Sequence, residues 1–328
     1  MEDDHAYKKL IGFCREKEYH SSDAIGLRKG GKEMPRMKKW ILPAVLVTIL
    51  AVVIIVTSSF FQQHEGTQPE PKIVSNMIKR DPPVKKFKTI DINENQIFQG
   101  DLLLANNNFP IKQTSIREDI VPLSSIAELK NQFGTSLDSI SLSNEAGQQF
   151  SKMMEAARKD GLIHFSVNSG FRDFDEQAKL YKEMGASYAL PPGYSEHNLG
   201  LSIDVGSTLM KMESAPEGKW MAENAWKYGF ILRYPKDKTN ITGIEFEPWH
   251  FRYVGLPHSA IMKEKNFVLE EYIDYLKKEK AVKTTIGEIE YYITYHPVSE
   301  TLEIVEPILS QYEISGNNVD GVIVTRYR

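Results

Sequence analysis

From Trp40 to Phe61 the chain carries no charged residue. A run of that length reaches across a hydrocarbon core of ~30 Å when helical. It is too long, and the polar tail before it too extended, for a cleaved signal peptide. Buried helices of globular proteins are rarely so uniform. The run therefore predicts one transmembrane helix at residues 40–61, with the lipid bilayer as a partner. Arg36, Lys38 and Lys39 crowd its N-terminal side. That places residues 1–39 in the cytoplasm and everything after the span outside, in a single-pass cell-membrane protein. Trp40 and the Phe60-Phe61 pair fit interfacial anchoring.

Residues 62–95 are rich in Gln, Glu, Pro and Lys, with Pro69, Pro71, Pro82 and Pro83. Such a segment lacks the apolar content to fold and is expected to be an extended linker. A net charge of −4 implies no polyanionic partner, and no nucleic-acid motif occurs. The single cysteine, Cys14, excludes an internal disulfide and thiolate metal sites.

The chemistry is concentrated in the stretch Tyr194-Ser195-Glu196-His197-Asn198-Leu199-Gly200-Leu201-Ser202-Ile203-Asp204 and in Glu245-Phe246-Glu247-Pro248-Trp249-His250-Phe251-Arg252. Together these offer two imidazoles, one carboxylate placed to ligate and one left over. A catalytic zinc site takes three such ligands and keeps a position open for water. A spare carboxylate beside it can serve as general base. His197 and Asp204 are seven residues apart and would face opposite sides of one flat strand. Gly200 offers a bend, which puts His197 on a loop and Asp204 on a strand. Pro248 excludes a helix interior between Glu247 and His250, so an irregular edge strand is expected there. Phe246, Trp249 and Phe251 would wall the site with apolar surface.

A third stretch, Asn168-Ser169-Gly170-Phe171-Arg172-Asp173-Phe174-Asp175-Glu176-Gln177, completes three patterns: S-G-[YF]-R, S-x-H-x-x-G-x-x-x-D and E-x-W-H. In these motifs, and from about Gln99 to the C-terminus, the chain resembles the VanY-type zinc D,D-carboxypeptidases. That family is related to the D-Ala-D-Ala dipeptidases and shares its core with lysostaphin-like enzymes and the hedgehog domain. The resemblance implies that His197, Asp204 and His250 hold one zinc ion per chain and that Glu247 is the base. It implies that Arg172 polarises the scissile carbonyl, and that Ser195 and Gln177 contact the D-Ala end, with Trp249 among the substrate-binding residues. Phe171 stands where Tyr is common in the family. The implied substrate is a peptidoglycan stem peptide ending in D-Ala-D-Ala, whose trimming removes the end that vancomycin binds.

The expected fold class is α+β: a small antiparallel sheet with flanking helices over residues 96–280, followed by a small β-rich appendage over 281–328. Leu102–Asn106 reads as a strand and Ser143 as the start of a helix. Leu162–Val167 is expected as a strand leading to Arg172, with His164 structural, and Asp173–Glu183 as a helix bearing Gln177. Glu217–Phe230 is expected as a helix ended by Gly229, and Phe267–Lys280 as another. His258 is expected at the surface. Two rivals stay open: an L,D-carboxypeptidase or D,D-dipeptidase using the same site, and a non-catalytic wall-binding domain that keeps zinc for structure. Retention of both Glu247 and Arg172 argues against the second.

Overall fold

In the computed structural model the described residues run from 87 to 328, apart from 187, 299–301 and 308–310. The expected tail, the span at 40–61 and most of the expected linker lie outside them. Among the described residues no helix is long and apolar enough to cross a membrane.

Strand β1 (Phe87–Ile92) opens the described part. Two short strands, β2 (Ile120–Pro122) and β3 (Ser141–Ser143), flank helix α1 (Ala127–Phe133) in sequence and pair antiparallel. The Ser143 hydroxyl accepts from the Ala146 N–H and caps α2 (Asn144–Lys159). Strand β4 (Phe165–Ser169) leads to α3 (Phe174–Met184), where Asp173 and Glu176 form a capping box. There follow β5 (Ser202–Ser207), α4 (Pro216–Asn224) and β6 (Phe230–Leu232), with Pro216 opening α4 and a left-handed Gly229 closing the 3-10 turn after it. The chain continues through α5 (Thr239–Thr242), β7 (His250–Tyr253), α6 (His258–Lys265) and α7 (Leu269–Glu279). It ends with β8 (Ala281–Ile286), β9 (Ile289–Pro297), β10 (Leu302–Pro307), β11 (Gln311–Gly316) and β12 (Gly321–Tyr327).

The central sheet has the order β4-β5-β7-β6, every pair antiparallel. Side chains alternate across a strand. Ile203 and Val205 of β5 and Phe251 and Tyr253 of β7 enter a core with Phe150 and Met154 of α2. Ser202 and Asp204, with His250 and Arg252, therefore share the other face. That face carries the site.

The last five strands supply a second sheet, β11-β12-β9-β8, and β10, which pairs with β1. Ile293 and Ile323 of this second sheet pack with Ile261 of α6 and Tyr272 and Leu276 of α7 in a second core. Residues 87–92 thus form a strand inside the stretch expected as linker. Their partner lies more than 200 residues away, and a Pro- and Lys-rich window carries no sign of it.

Leu102–Asn106 forms no regular strand. Leu103 and Ala105 point into the first core, Leu102 and Leu104 into the second. The segment is a wedge between two apolar regions. Its side chains alternate between the two because of that position and not because of a ladder; its main-chain partners include Asn317, whose carbonyl takes the Leu104 N–H at 3.2 Å. His258 is buried, not exposed. Its Nδ1 lies 2.7 Å from the Tyr272 hydroxyl and its Nε2 3.0 Å from Thr325 Oγ1. Both partners are remote in sequence, which hid its burial.

Candidate active site

Three local features bring the site residues together. The first is strand register. Asp204 of β5 sits directly opposite His250 of β7. On its other side a bulge at Asn168 shifts β4 so that Ser169, and not Asn168, faces Asp204. The second is the break at Gly200, which ends a 3-10 helix (Glu196–Leu199) with φ +76°. Its left-handed backbone favours glycine, and a Cβ there would have to push aside the tip of the Ile120 side chain. The bend carries His197 back over the strand end. The third is a β-turn, in which the His250 N–H donates to the Glu247 carbonyl at 3.2 Å. This turn replaces the irregular edge strand expected around Pro248 and hangs Glu247 at the site's rim, its side chain 30% exposed.

His197 Nε2 lies 3.3 Å from one Asp204 oxygen, and His250 Nδ1 lies 3.2 Å from the other. The two rings meet edge to face with centroids 5.0 Å apart. Glu247 Oε2 is 3.7 Å from His250 Nδ1. His197 Nδ1 sits 2.7 Å from the Gly170 carbonyl; carrying its proton there leaves Nε2 as the free donor atom.

The donor set fits a metal ion. One donor atom from each of His197, Asp204 and His250 lies within 4.8 Å of the others. Asp204 Oδ1 is buried and accepts no hydrogen bond, a costly state for a carboxylate unless a cation meets it. Burial opposes ionisation of Asp204, yet His197 and His250 hold its carboxyl well below the usual range. Burial also opposes protonation of His250, but Asp204 and Glu196 push it up to about 9. The pocket draws in positive charge.

Burial pushes the Glu247 carboxyl up to about 7; Asp204 and Glu196 add to the rise and His250 opposes it. A carboxylate with that value can both take and return a proton near neutrality. Arg172 is held by Ser169 Oγ at 3.0 Å and by Gln177 Oε1 at 2.7 Å. The Gln177 amide in turn donates to the Leu190 carbonyl at 2.6 Å. Ser195 is buried, and its hydroxyl accepts from the His197 N–H. Trp249 packs half-buried against the first core. His197, Asp204, His250, Glu247, Arg172, Gln177 and Ser195 thus gather on one face of the central sheet or at its rim, whereas Phe251, expected to wall the site, enters the first core on the opposite face and Trp249 packs against that core.

Four residues escaped the sequence reading. Asn198 donates to the Arg172 and Asp173 carbonyls and accepts from the Gly193 N–H, tying the loops that carry the motifs together. Glu196, Arg233 and Arg252 are buried without exposure and joined by ion pairs of 2.8 Å. Charged residues are almost never fully buried unless paired. Arg233 and Arg252, each embedded in an apolar strand sequence, carried that signal.

The family model for VanY, D-alanyl-D-alanine carboxypeptidase, matches residues 139–256. A D-alanyl-D-alanine carboxypeptidase of Enterococcus faecium is 62% identical over 234 residues, 71% of this chain and 77% of that protein. The chain belongs to the VanY D-alanyl-D-alanine carboxypeptidase family. It is a hydrolase, a D,D-carboxypeptidase of the VanY type. The putative carboxypeptidase YodJ of Bacillus subtilis (strain 168) is 32% identical over 209 residues, covering 60% of this chain and 74% of that one. Among solved structures, the vancomycin resistance D,D-dipeptidase VanXYg, in complex with a D-Ala-D-Ala phosphinate analog, matches with a TM-score of 0.66 and 31% identity. That match covers 74% of this chain and all of the other. The mixed helix and sheet fold therefore matches that of the D,D-dipeptidase VanXYg.

Proposed function

We propose that this VanY-type enzyme is zinc-dependent and removes the C-terminal D-Ala from peptidoglycan precursors ending in D-Ala-D-Ala, contributing to vancomycin-type glycopeptide resistance. The observation that supports it best is the buried, unsatisfied Asp204 oxygen beside His250 Nδ1, with Glu247 at its rim. His197 Nε2, Asp204 and His250 Nδ1 would hold the metal. Bound zinc supplies a Lewis acid that polarises a carbonyl and acidifies water.

The protein's own groups do the rest. Glu247 takes a proton during attack and hands it to the departing D-Ala amine. Arg172, fixed by Ser169 and Gln177, brings positive charge to the oxygen on which negative charge develops. Ser195, Gln177 and Trp249 meet the D-Ala end. An amide nitrogen has two N–H donors; the Gln177 donor not directed at Leu190 serves a carboxylate. Residues 40–61 cross the membrane and hold the enzyme outside, a reading supported by their lack of charge and the basic residues before them. Protease added to cells stripped of their wall should then digest the region after Phe61 and spare residues 1–39; the reverse pattern rules this topology out.

The decisive assay measures D-Ala release from a stem pentapeptide, a tetrapeptide and free D-Ala-D-Ala, each with a chelator and after zinc is restored. Chelator-sensitive release from the pentapeptide is expected. Full activity in chelator would refute the zinc reading. The similarity to VanXYg supports a second reading, D,D-dipeptidase activity at the same site, which cleavage of free dipeptide in preference to pentapeptide would establish.

A further inference from the structure

Glu196 stands between Ser195 and His197 in the motif, and nothing in the chemistry above uses it. Its side chain has no exposure. One oxygen, Oε1, accepts from Arg233 Nε and from Arg252 Nη1, both at 2.8 Å. Arg233 is held further by a two-pronged pair with Glu270 at 2.7 and 2.8 Å. Arg252 also donates to the Asp101 and Leu103 carbonyls. The guanidiniums thus fix the carboxylate from behind. Its other oxygen, Oε2, faces Ser202 Oγ at 3.3 Å and His250 Nε2 at 3.5 Å. That nitrogen is buried and makes no hydrogen bond in this structure, and the Glu196 carboxylate is the acceptor beside it.

We infer that Glu196 is the positioning residue of the metal centre: its Oε2 receives the Nε2–H of His250, and so keeps the Nδ1 lone pair of that ring directed at the metal. This rests on the zinc reading above. A ring nitrogen can ligate only when bare, and the hydrogen bond made by the other nitrogen decides which is bare. Outer carboxylates that hold ligating imidazoles in this way are worth about 10–100-fold in metal affinity.

Replacement by Gln separates this role from a structural one. In Glu196→Gln the amide oxygen must face the two guanidiniums, since they only donate. The NH2 group then occupies the place of Oε2 and donates to His250 Nε2. The proton of His250 moves to Nδ1, where it points at Asp204 and obstructs the metal. The side chain keeps its volume and its bonds to the arginines.

The test compares metal-free wild type and E196Q by long-range ¹⁵N–¹H spectra of the imidazoles, by thermal melting, and by zinc affinity in competition with a chromophoric chelator. The spectra are compared above the pH at which His250 gives up its second proton, so that the ring is neutral: in the wild type Nε2 then carries the remaining proton, and in E196Q it is bare. Zinc affinity should fall roughly 10–100-fold while the metal-free melting temperature changes little. Equal zinc affinity in the two proteins, or an Nε2 that stays protonated in E196Q, overturns the assignment. If E196Q does not fold, the wild-type spectrum decides alone: a bare Nε2 on His250 overturns it and a protonated one supports it. A wild type that takes up no zinc defeats the zinc reading, and with it this inference. A wild type that binds zinc with no loss in E196Q defeats this inference only.

Discussion

Asp204 and His250 face one another across two antiparallel strands, so main-chain hydrogen bonding sets the spacing of these two donors. Their side chains meet at 3.2 Å without help from any loop. Only His197 is brought in by a turn. Sites built on strands hold their geometry better than sites built on loops.

Replacement of His197, Asp204 or His250 by Ala should therefore remove both zinc and activity while leaving the sheet intact. Metal analysis of the purified variants checks this. Full zinc content in His250→Ala would exclude His250 from the ligand set.

Glu247 lies outside the three-donor cluster. Glu247→Ala should keep zinc and fold and lose about 10²–10⁴-fold in turnover, the usual weight of a general base. Loss of the metal from that variant would make Glu247 a ligand and the scheme above wrong.

No serine is expected to act as nucleophile. The Ser195 hydroxyl is buried and engaged with the His197 N–H. A β-lactam should leave activity unchanged and add no mass to the protein. Stoichiometric acylation seen by mass spectrometry would point to a serine enzyme instead.

Gly200→Ala should destabilise the protein by roughly 1–2 kcal/mol. A left-handed backbone costs Ala about 1–2 kcal/mol, and the methyl group need only shift the tip of the half-buried Ile120 side chain. Urea denaturation measures the change. A loss below about 0.5 kcal/mol, the level of ordinary surface substitutions, would contradict the packing described at the bend.

His258 makes stability pH-dependent. Burial lowers it from 6.5 to about 3, so below pH 6.5 the unfolded chain takes up a proton that the folded one refuses. The stabilising contribution is complete above pH 6.5 and is lost as pH falls towards 3, by up to about 1.4 kcal/mol per pH unit. In the metal-free protein, His258→Gln should show a shallower fall in urea midpoint between about pH 7.5 and pH 5. Identical slopes for the two proteins would refute the assignment.

Sequence foretold that these groups would meet, because His197, Asp204, Glu247, His250 and Arg172 sit in short segments whose spacing reflects local geometry. The bend at Gly200 was visible for the same reason. What supports those groups was not. Glu196 acquires its role from Arg233, Arg252 and Glu270, up to 74 residues downstream. The bulge at Asn168 exists only against β5. Leu102–Ala105 reads as a strand because it is apolar throughout, and it is apolar throughout because it separates two apolar regions.

That wedge has a consequence for how such enzymes can be recombined. Leu102 and Leu104 face the second core, and the Leu104 carbonyl accepts from the Asn318 side chain. Leu103 faces the first core, and its carbonyl, like that of Asp101, holds Arg252 behind the site. A chimera that grafted the last strands of one relative onto the sheet of another would split this shared wall between two parents. Residues 101–105 and 317–318 should travel together as one heritable block, although more than 200 residues lie between them.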